Sequence, residues 1–442
     1  MNAAREIIRL YGREAVSPAL LLPTIRTELI DGAAVGFVDV QGARVFAGSP
    51  IAPPGIRKPS LESLRTKAKQ VIAFGRELEQ QDPLPPQAYV VGEQPWWALA
   101  QWPDTVRSTR SLRAQLSRAT NKGVHVRAVA QGDLSPGSAL RDAIEVLHHR
   151  WLRTRHMPPL SFVATVAPLF RLDQRRIFVA ELDDQLVGYL VASPLGPGRS
   201  WLFDHIIRSR TAPNGTAELL VDFAMRALHE QGALAVTLGL CPLAGRVGWP
   251  LRTILHLSRG LFDFRGLQAF KTKLRPQYWQ RVLVEHPGQT ALLATLRTLR
   301  AFAGGSLLRF GLGALLRAPP PFLRGVALLL LPWMCALASP SAARFFPRSW
   351  LPRVWIPFDL ALSLALFWLA SRISRRSSKR WLHLLLATLV SVDAVITIAQ
   401  AVTWNINRLR NLTDAIWVGT ACLAPATVAA ILWSSLQFRE PR

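Results

Sequence analysis

Apolar residues are interspersed with polar ones through about the first two thirds of the chain and then run together in long blocks, and that change divides the sequence. In the first part, Ala33–Val40 and Ala43–Ala47 are β-prone runs on either side of Gln41-Gly42, which predicts a hairpin. A proline-rich loop over Pro50–Pro59, a helix over Leu61–Gln81 and a strand around Ala88–Val91 follow. Between Arg107 and Arg127 the chain holds Arg107, Arg110, Arg113, Arg118, Lys122 and Arg127 with no acidic residue. Leu112, Leu116 and Ala119 give that stretch one apolar helical face, ended at Asn121-Lys122-Gly123. A helix over Ala139–Thr154 and a hairpin of Ile177–Leu182 and Leu186–Ala192 around Asp183-Asp184-Gln185 open a second α/β unit. Its centre is a strand over Trp201–Ile207, a turn at Pro213-Asn214-Gly215, and a helix capped by Thr216. Leu219, Leu220, Phe223, Ala224 and Ala227 form the apolar face of that helix, Gly232 ends it, and Ala235–Leu240 is the next strand.

After Pro287 the pattern changes. Thr290–Ala318 sets Leu292, Leu293, Leu296 and Leu299 against Arg297 and Arg300, then Leu307, Leu308, Leu312 and Leu316 against Arg309 and Arg317. A basic helix with an apolar face fits a membrane interface, and it also fits a packed linker. Phe322–Ala338, Val354–Ala370, Trp381–Trp404 and Ala415–Ser434 are each about long enough to cross a hydrocarbon core of roughly 30 Å, so about four transmembrane helices are expected. Asp359 and Asp393 fall within these spans, where a carboxylate is a functional candidate by default, and pairing with a neighbouring helix or a place near an interface is the expected reason. The resulting domains are 1–135 and 136–287, both α/β, a basic linker over 288–321, and a membrane region over 322–442.

Charge narrows the partners. The 53 Lys and Arg against 28 Asp and Glu leave +25, which favours nucleic acid or an acidic lipid surface. Cys241, Cys335 and Cys422 lie far apart and make neither a disulfide framework nor a metal cluster. The N-terminal stretch is an amphipathic helix without the apolar core of a signal peptide. The loop Ser371–Arg380 carries five basic residues, so the positive-inside rule puts it, the C-terminus and the soluble part on the cytoplasmic face.

The turn before the Thr216 helix is the first candidate for chemistry. A helix N-terminus offers unpaired N–H groups and a positive dipole end to an anion or carbonyl oxygen. A pyrophosphate cradle needs several close glycines, yet Arg208–Thr216 holds only Gly215. That argues against a coenzyme A-dependent N-acyltransferase of the GNAT type.

Five segments in order resemble the synthase domain of the phosphatidylglycerol lysyltransferase (multiple peptide resistance) family. They are Arg150-Trp151-Leu152, Met157-Pro158-Pro159-Leu160, Ala212–Thr216 with Thr237–Leu240 and Pro242-Leu243-Ala244, Phe264–Lys273, and Arg281–Val284. Phe270 and Gln280 depart from the family pattern. The resemblance implies tandem GNAT-like α/β domains and transfer of an aminoacyl group from aminoacyl-tRNA to phosphatidylglycerol, with no cofactor beyond the tRNA co-substrate. Lysine, alanine and arginine stay open as the amino acid. Well-known members place a large flippase before the synthase, whereas here the spans follow it, so lipid flipping is not implied.

Asn214 and Gly215 are the first choice for positioning the carbonyl that becomes an oxyanion, against the plain reading that Asn-Gly makes a turn. Glu218, in the first helical turn, fits the substrate ammonium or proton removal, and it also fits the helix dipole. Asp204 and His205 end the preceding strand, with His205 as a candidate base or a structural strand residue. Lys271, Lys273, Arg281 and Arg113 are assigned to phosphates, with a solvated face as the alternative, and Gly239 to close backbone approach. No metal-ligand spacing, nucleophile elbow or dinucleotide fingerprint appears. A catalytically silent tRNA- or lipid-binding membrane protein is the reading from another class.

Overall fold

A computed structural model describes residues 3–65, 70–155, 157–164, 168–196, 199–245, 247–248, 251, 263–317, 320–374 and 380–436. The chain divides into two compact units. Met1–Leu152, Pro159–Arg259 and Asp263–Leu307 form one, and Arg153–Pro158, Gly260–Phe262 and Leu308–Arg442 the other.

The first unit is built on one mixed sheet. Its strands are β1 Arg26–Ile30, β2 Ala33–Val40, β3 Ala43–Ala47, β4 Val71–Leu78, β5 Ala88–Ala98, β6 His125–Ala128, β7 Arg176–Leu182, β8 Gln185–Leu195, β9 Ser200–Arg208, β10 Ala235–Thr237, β11 Cys241–Pro242 and β12 Tyr278–Glu285. They lie in the order β1-β2-β3-β4-β12-β5-β10-β9-β8-β7-β6, with β11 on β5. Both hairpin turns foreseen from sequence carry two left-handed residues, Gln41 with Gly42 and Asp183 with Asp184. Each half of the sheet runs through antiparallel hairpins into a parallel strand, β4 beside β3 and β10 beside β9. This is the tandem α/β fold expected from the sequence. β5 and β12 pair with each other between the halves.

Helices α1 Ala3–Tyr11, α2 Leu61–Leu64, α3 Trp102–Ser108, α4 Arg110–Asn121, α5 Ala139–Arg153, α6 Thr216–Glu230, α7 Phe264–Lys273 and α8 Ala291–Phe302 complete this unit. The helix expected over Leu61–Gln81 is a correction: among the described residues there, α2 stops at Leu64 and Val71–Leu78 is strand β4, while 66–69 lie outside the described residues. Val71, Ile72, Ala73 and Phe74 are buried in succession, because β4 is a central strand covered on both faces. Continuous burial removes the alternation that marks a strand in sequence. One core lies where α3, α4 and α6 cover one face of β7–β10, and another where α5 covers the opposite face.

In the second unit, α9 Leu307–Leu315 precedes α10 Pro320–Leu337, α11 Leu351–Ser374, α12 Arg380–Gln400 and α13 Leu412–Leu436. Four of its helical stretches are long and apolar enough to cross a membrane. Large apolar residues such as Leu329, Leu364, Val395 and Leu423 face outward on them, the reverse of a water-soluble bundle. Asp414 is buried and paired with Arg344, and Asp393 accepts a hydrogen bond from Thr397 at 3.3 Å. Of the basic loop 371–380, Arg375, Arg376 and Lys379 lie outside the described residues.

Candidate functional site

The turn between β9 and α6 is closed by packing. Gly215 has φ 101°, and a Cβ added there would stand 2.1 Å from the Gln115 carbonyl oxygen of α4. Glycine is thus required twice over, by its backbone conformation and by the approach of α4. Thr216 does not cap the helix as expected. Gly215 holds that position, and the Thr216 hydroxyl donates to the Pro213 carbonyl at 2.7 Å. Asn214 is exposed beside it.

Helix α7 begins at Asp263, whose carboxylate accepts from the Gly266 amide at 2.8 Å. Its two lysines stand two residues apart, about 200° around the axis, and so face opposite ways. Lys271 is buried and donates to the carbonyls of Leu238, Gly239 and Leu240 at 2.7, 2.8 and 3.0 Å. An ammonium has three protons, and all three are used. The phosphate contact expected of Lys271 is therefore replaced by a structural role: the lysine ties the end of β10 to α7. Burial pulls its pKa down to about 8, while three carbonyl oxygens favour the charged form. Gly239, at φ 69°, bends the chain so that these carbonyls converge, and its amide donates to Thr237 Oγ1 at 3.0 Å.

Lys273 faces the other way. Its Nζ meets the buried Glu218 carboxylate of α6 at 2.7 Å, so the structure brings these two predicted residues together. Lys273 also lines an open groove of about 490 Å³ with Ser111, Arg265, Gln268, Thr272 and Arg275. A second depression of about 540 Å³ adjoins it, sharing Ser111 and Arg275 and adding Thr105, Ser108, Thr109 and Arg110. The combined lining has four cations and several hydroxyls, and no carboxylate. It lies between the start of α4 and α7.

Arg113 and Arg281 are not among the groove's lining residues. Arg113 turns back to the Val106 and Arg107 carbonyls and closes the end of α3. Arg281, on β12, donates to the carbonyls of Glu79 and Asp82. The lining cations Arg265 and Arg275 were missed by the sequence reading. The signal was present, since Arg265 lies within the Phe264–Lys273 segment and Arg275 two residues beyond it, but their helical phase had to be set against α4.

Asp204 and His205 project from the other face of the sheet. The β8–β9 register slips between Val191 and Ala192, so Asp204 is an inserted residue and both side chains turn toward the α5 side. Asp204 accepts from Ser193 Oγ at 2.8 Å and pairs with Arg175 at 3.1 Å. Nearby, His148 Nδ1 and the Tyr189 hydroxyl share a hydrogen bond of 2.8 Å. Burial holds His148 down to about 4 and lowers His205, with Asp204 opposing the latter shift. The structure therefore separates Asp204 and His205 from Gly215 and Glu218, which belong to the α6 face. Among the described residues no three His, Cys, Asp or Glu side chains gather as a metal site.

Residues 87–284 match the family described as phosphatidylglycerol lysyltransferase, C-terminal. That segment runs from β5 to β12 and includes every groove residue. Among solved structures, the C-terminal domain of a putative lysylphosphatidylglycerol synthetase from Agrobacterium fabrum aligns with TM-score 0.57 at 20% identity, over 69% of this chain and 98% of that one. L-PGS from Bacillus licheniformis aligns with TM-score 0.55 at 19% identity, over 68% and 95%. These likenesses establish the fold. No curated protein matches the chain.

Proposed function

Because the chain carries, over residues 87–284, a domain of the phosphatidylglycerol lysyltransferase C-terminal family, we propose that it is a membrane-anchored transferase moving an aminoacyl group from aminoacyl-tRNA to phosphatidylglycerol. The observation that carries this reading is the groove between α4 and α7. Arg110, Arg265, Lys273 and Arg275 line it without a carboxylate, which suits a polyanion that binds through its phosphates. The hydroxyls of Thr105, Ser108, Thr109, Ser111 and Thr272 add donors for phosphate and sugar oxygens.

The reaction exchanges one ester for another. A glycerol hydroxyl oxygen attacks the aminoacyl carbonyl carbon, the bond to the ribose oxygen breaks, and the hydroxyl proton ends on that ribose oxygen. Positioning and oxyanion stabilisation can supply most of the acceleration. Lys273 stands at the groove wall as a candidate oxyanion donor, held by Glu218. Asn214, exposed next to Gly215, is the neighbouring candidate for substrate positioning.

A coenzyme A-dependent reaction fits less well, because the turn that would cradle its phosphates is packed against α4 at Gly215. The four apolar helices supply the membrane association, and a tRNA donor puts the sheet unit on the cytoplasmic side.

Mass spectrometry of lipids from cells expressing the full chain tests the proposal. Phosphatidylglycerol heavier by one aminoacyl residue is expected with the intact chain and not with Lys273→Met. Profiles that match an empty control while the protein is folded and in the membrane would end this reading, leaving a silent tRNA or lipid binder.

A further inference from the structure

Helix α8 is packed the wrong way round for a helix that ends in water. Its inner face carries Ala294, Thr295, Thr298 and Ala301, all buried. Its outer face carries Leu292, Leu293 and Leu296, which are 57%, 41% and 43% exposed. A helix docked on a soluble domain ordinarily turns its large apolar residues inward. Here the small ones are inside, and the contacts there fix the orientation. Thr295 Oγ1 and the Tyr89 hydroxyl share a hydrogen bond of 2.8 Å, and Arg297 donates to Gln70 and Gln289 at 2.9 and 2.6 Å. Phe302 meets the rings of Phe74 and Phe162 edge-on, at 4.9 and 5.6 Å. The helix cannot roll its leucines inward without breaking all of these.

We propose that the outer face of α8 is a membrane-seating surface, which takes the boundary between headgroups and acyl chains of an anionic bilayer. Two further observations select a bilayer as the occupant. Only α9 and short linkers separate Phe302 from Pro320, where the first of the four membrane-length helices begins. Described by itself, α9 and the residue after it repeat the arrangement, with Leu308, Leu312 and Leu316 exposed at one-turn intervals. Secondly, His286–Phe358 contains eight arginines and no acidic residue, so the sequence that carries these leucines complements an anionic surface. The leucines supply apolar area, and the net positive charge of the stretch supplies the long-range attraction to an anionic surface. The effect is to hold the sheet unit at the lipid surface, and the inference stands whatever donor the transfer reaction uses.

The test uses the full chain in vesicles of phosphatidylglycerol and phosphatidylcholine. Cys335 and Cys422 are replaced by serine, buried Cys241 is kept, and a nitroxide label is placed on Leu293→Cys or on Leu234→Cys, an exposed control. Collision with oxygen, which partitions into lipid, is compared with collision with a water-soluble nickel chelate. The expected oxygen-to-nickel ratio at position 293 is several-fold above that at 234, and it falls in Leu292→Glu/Leu296→Glu and in vesicles of phosphatidylcholine alone. Both glutamates replace exposed side chains, so folding is not at stake. Equal ratios at 293 and 234 would overturn the proposal. Shielding of position 293 from both reagents would also overturn it, since that would mean a protein cover such as a second copy.

Discussion

The turn before α6 and the groove beside α7 are both anion-friendly in sequence, and they differ in what packs on them. The first has a glycine, a helix N-terminus and an exposed Asn, but α4 is laid against Gly215. The second is lined by the Phe264–Lys273 segment and the start of the basic α4, and it stays open with cations from α4, α7 and Arg275 on its walls. The same division runs through α7, where Lys271 is spent on three carbonyls and Lys273 reaches the groove. Charge and local geometry nominate a site, and packing decides whether a ligand has room.

The strongest way to break this comparison is Gly215→Val. The side chain would enter the Gln115 carbonyl and the backbone would be strained at φ 101°, so a loss of about 3 kcal/mol or more is expected in thermal unfolding of the solubilised chain. Wild-type stability with lost anion binding would instead make the turn the ligand site.

A second sealed charge supplies a pH test. Glu77 accepts from the Ala15 amide at 2.6 Å and from Gln94 at 3.0 Å, and burial with Glu14 nearby raises its pKa to about 7. The folded state then keeps a proton that the unfolded chain releases near its ordinary value of 4.5. Stability from this group is full below about 4.5 and falls as pH rises to about 7, by about 3 kcal/mol at most. Glu77→Gln should flatten that slope, and an unchanged slope would place the titration elsewhere.

Lys271→Met comes next. Three buried carbonyls lose their donor, which should cost about 2 kcal/mol of stability and leave the salt dependence of the proposed tRNA binding alone. A reduced salt slope at unchanged stability would return Lys271 to the substrate.

The smallest effect on folding and the sharpest on binding belongs to Arg110→Ala with Arg265→Ala and Arg275→Ala. Stability should stay within about 0.5 kcal/mol, while the slope of log affinity against log salt drops by about 2. A slope identical to the parent chain would make the groove ordinary surface.

The sequence by itself determined the elements whose signals are local. The hairpin turns at Gln41-Gly42 and Asp183-Asp184, the β9–α6–β10 unit and the four membrane-length helices all follow from turn chemistry, helical periodicity or uninterrupted apolar length. β4 escaped notice because a strand buried on both faces carries no alternation. Among the candidate residues, Glu218 and Lys273 are neighbours, but only the tertiary structure paired them. It was also tertiary structure that turned Asp204 and His205 to the far face through a one-residue bulge, folded Arg113 and Arg281 onto backbone carbonyls, and spent the three protons of Lys271. A charge acts by what its last few ångströms touch. Those partners come from the segment just after β10, from α3 and from the loop before β5, segments far along the chain or out of helical phase, so no local pattern could name them.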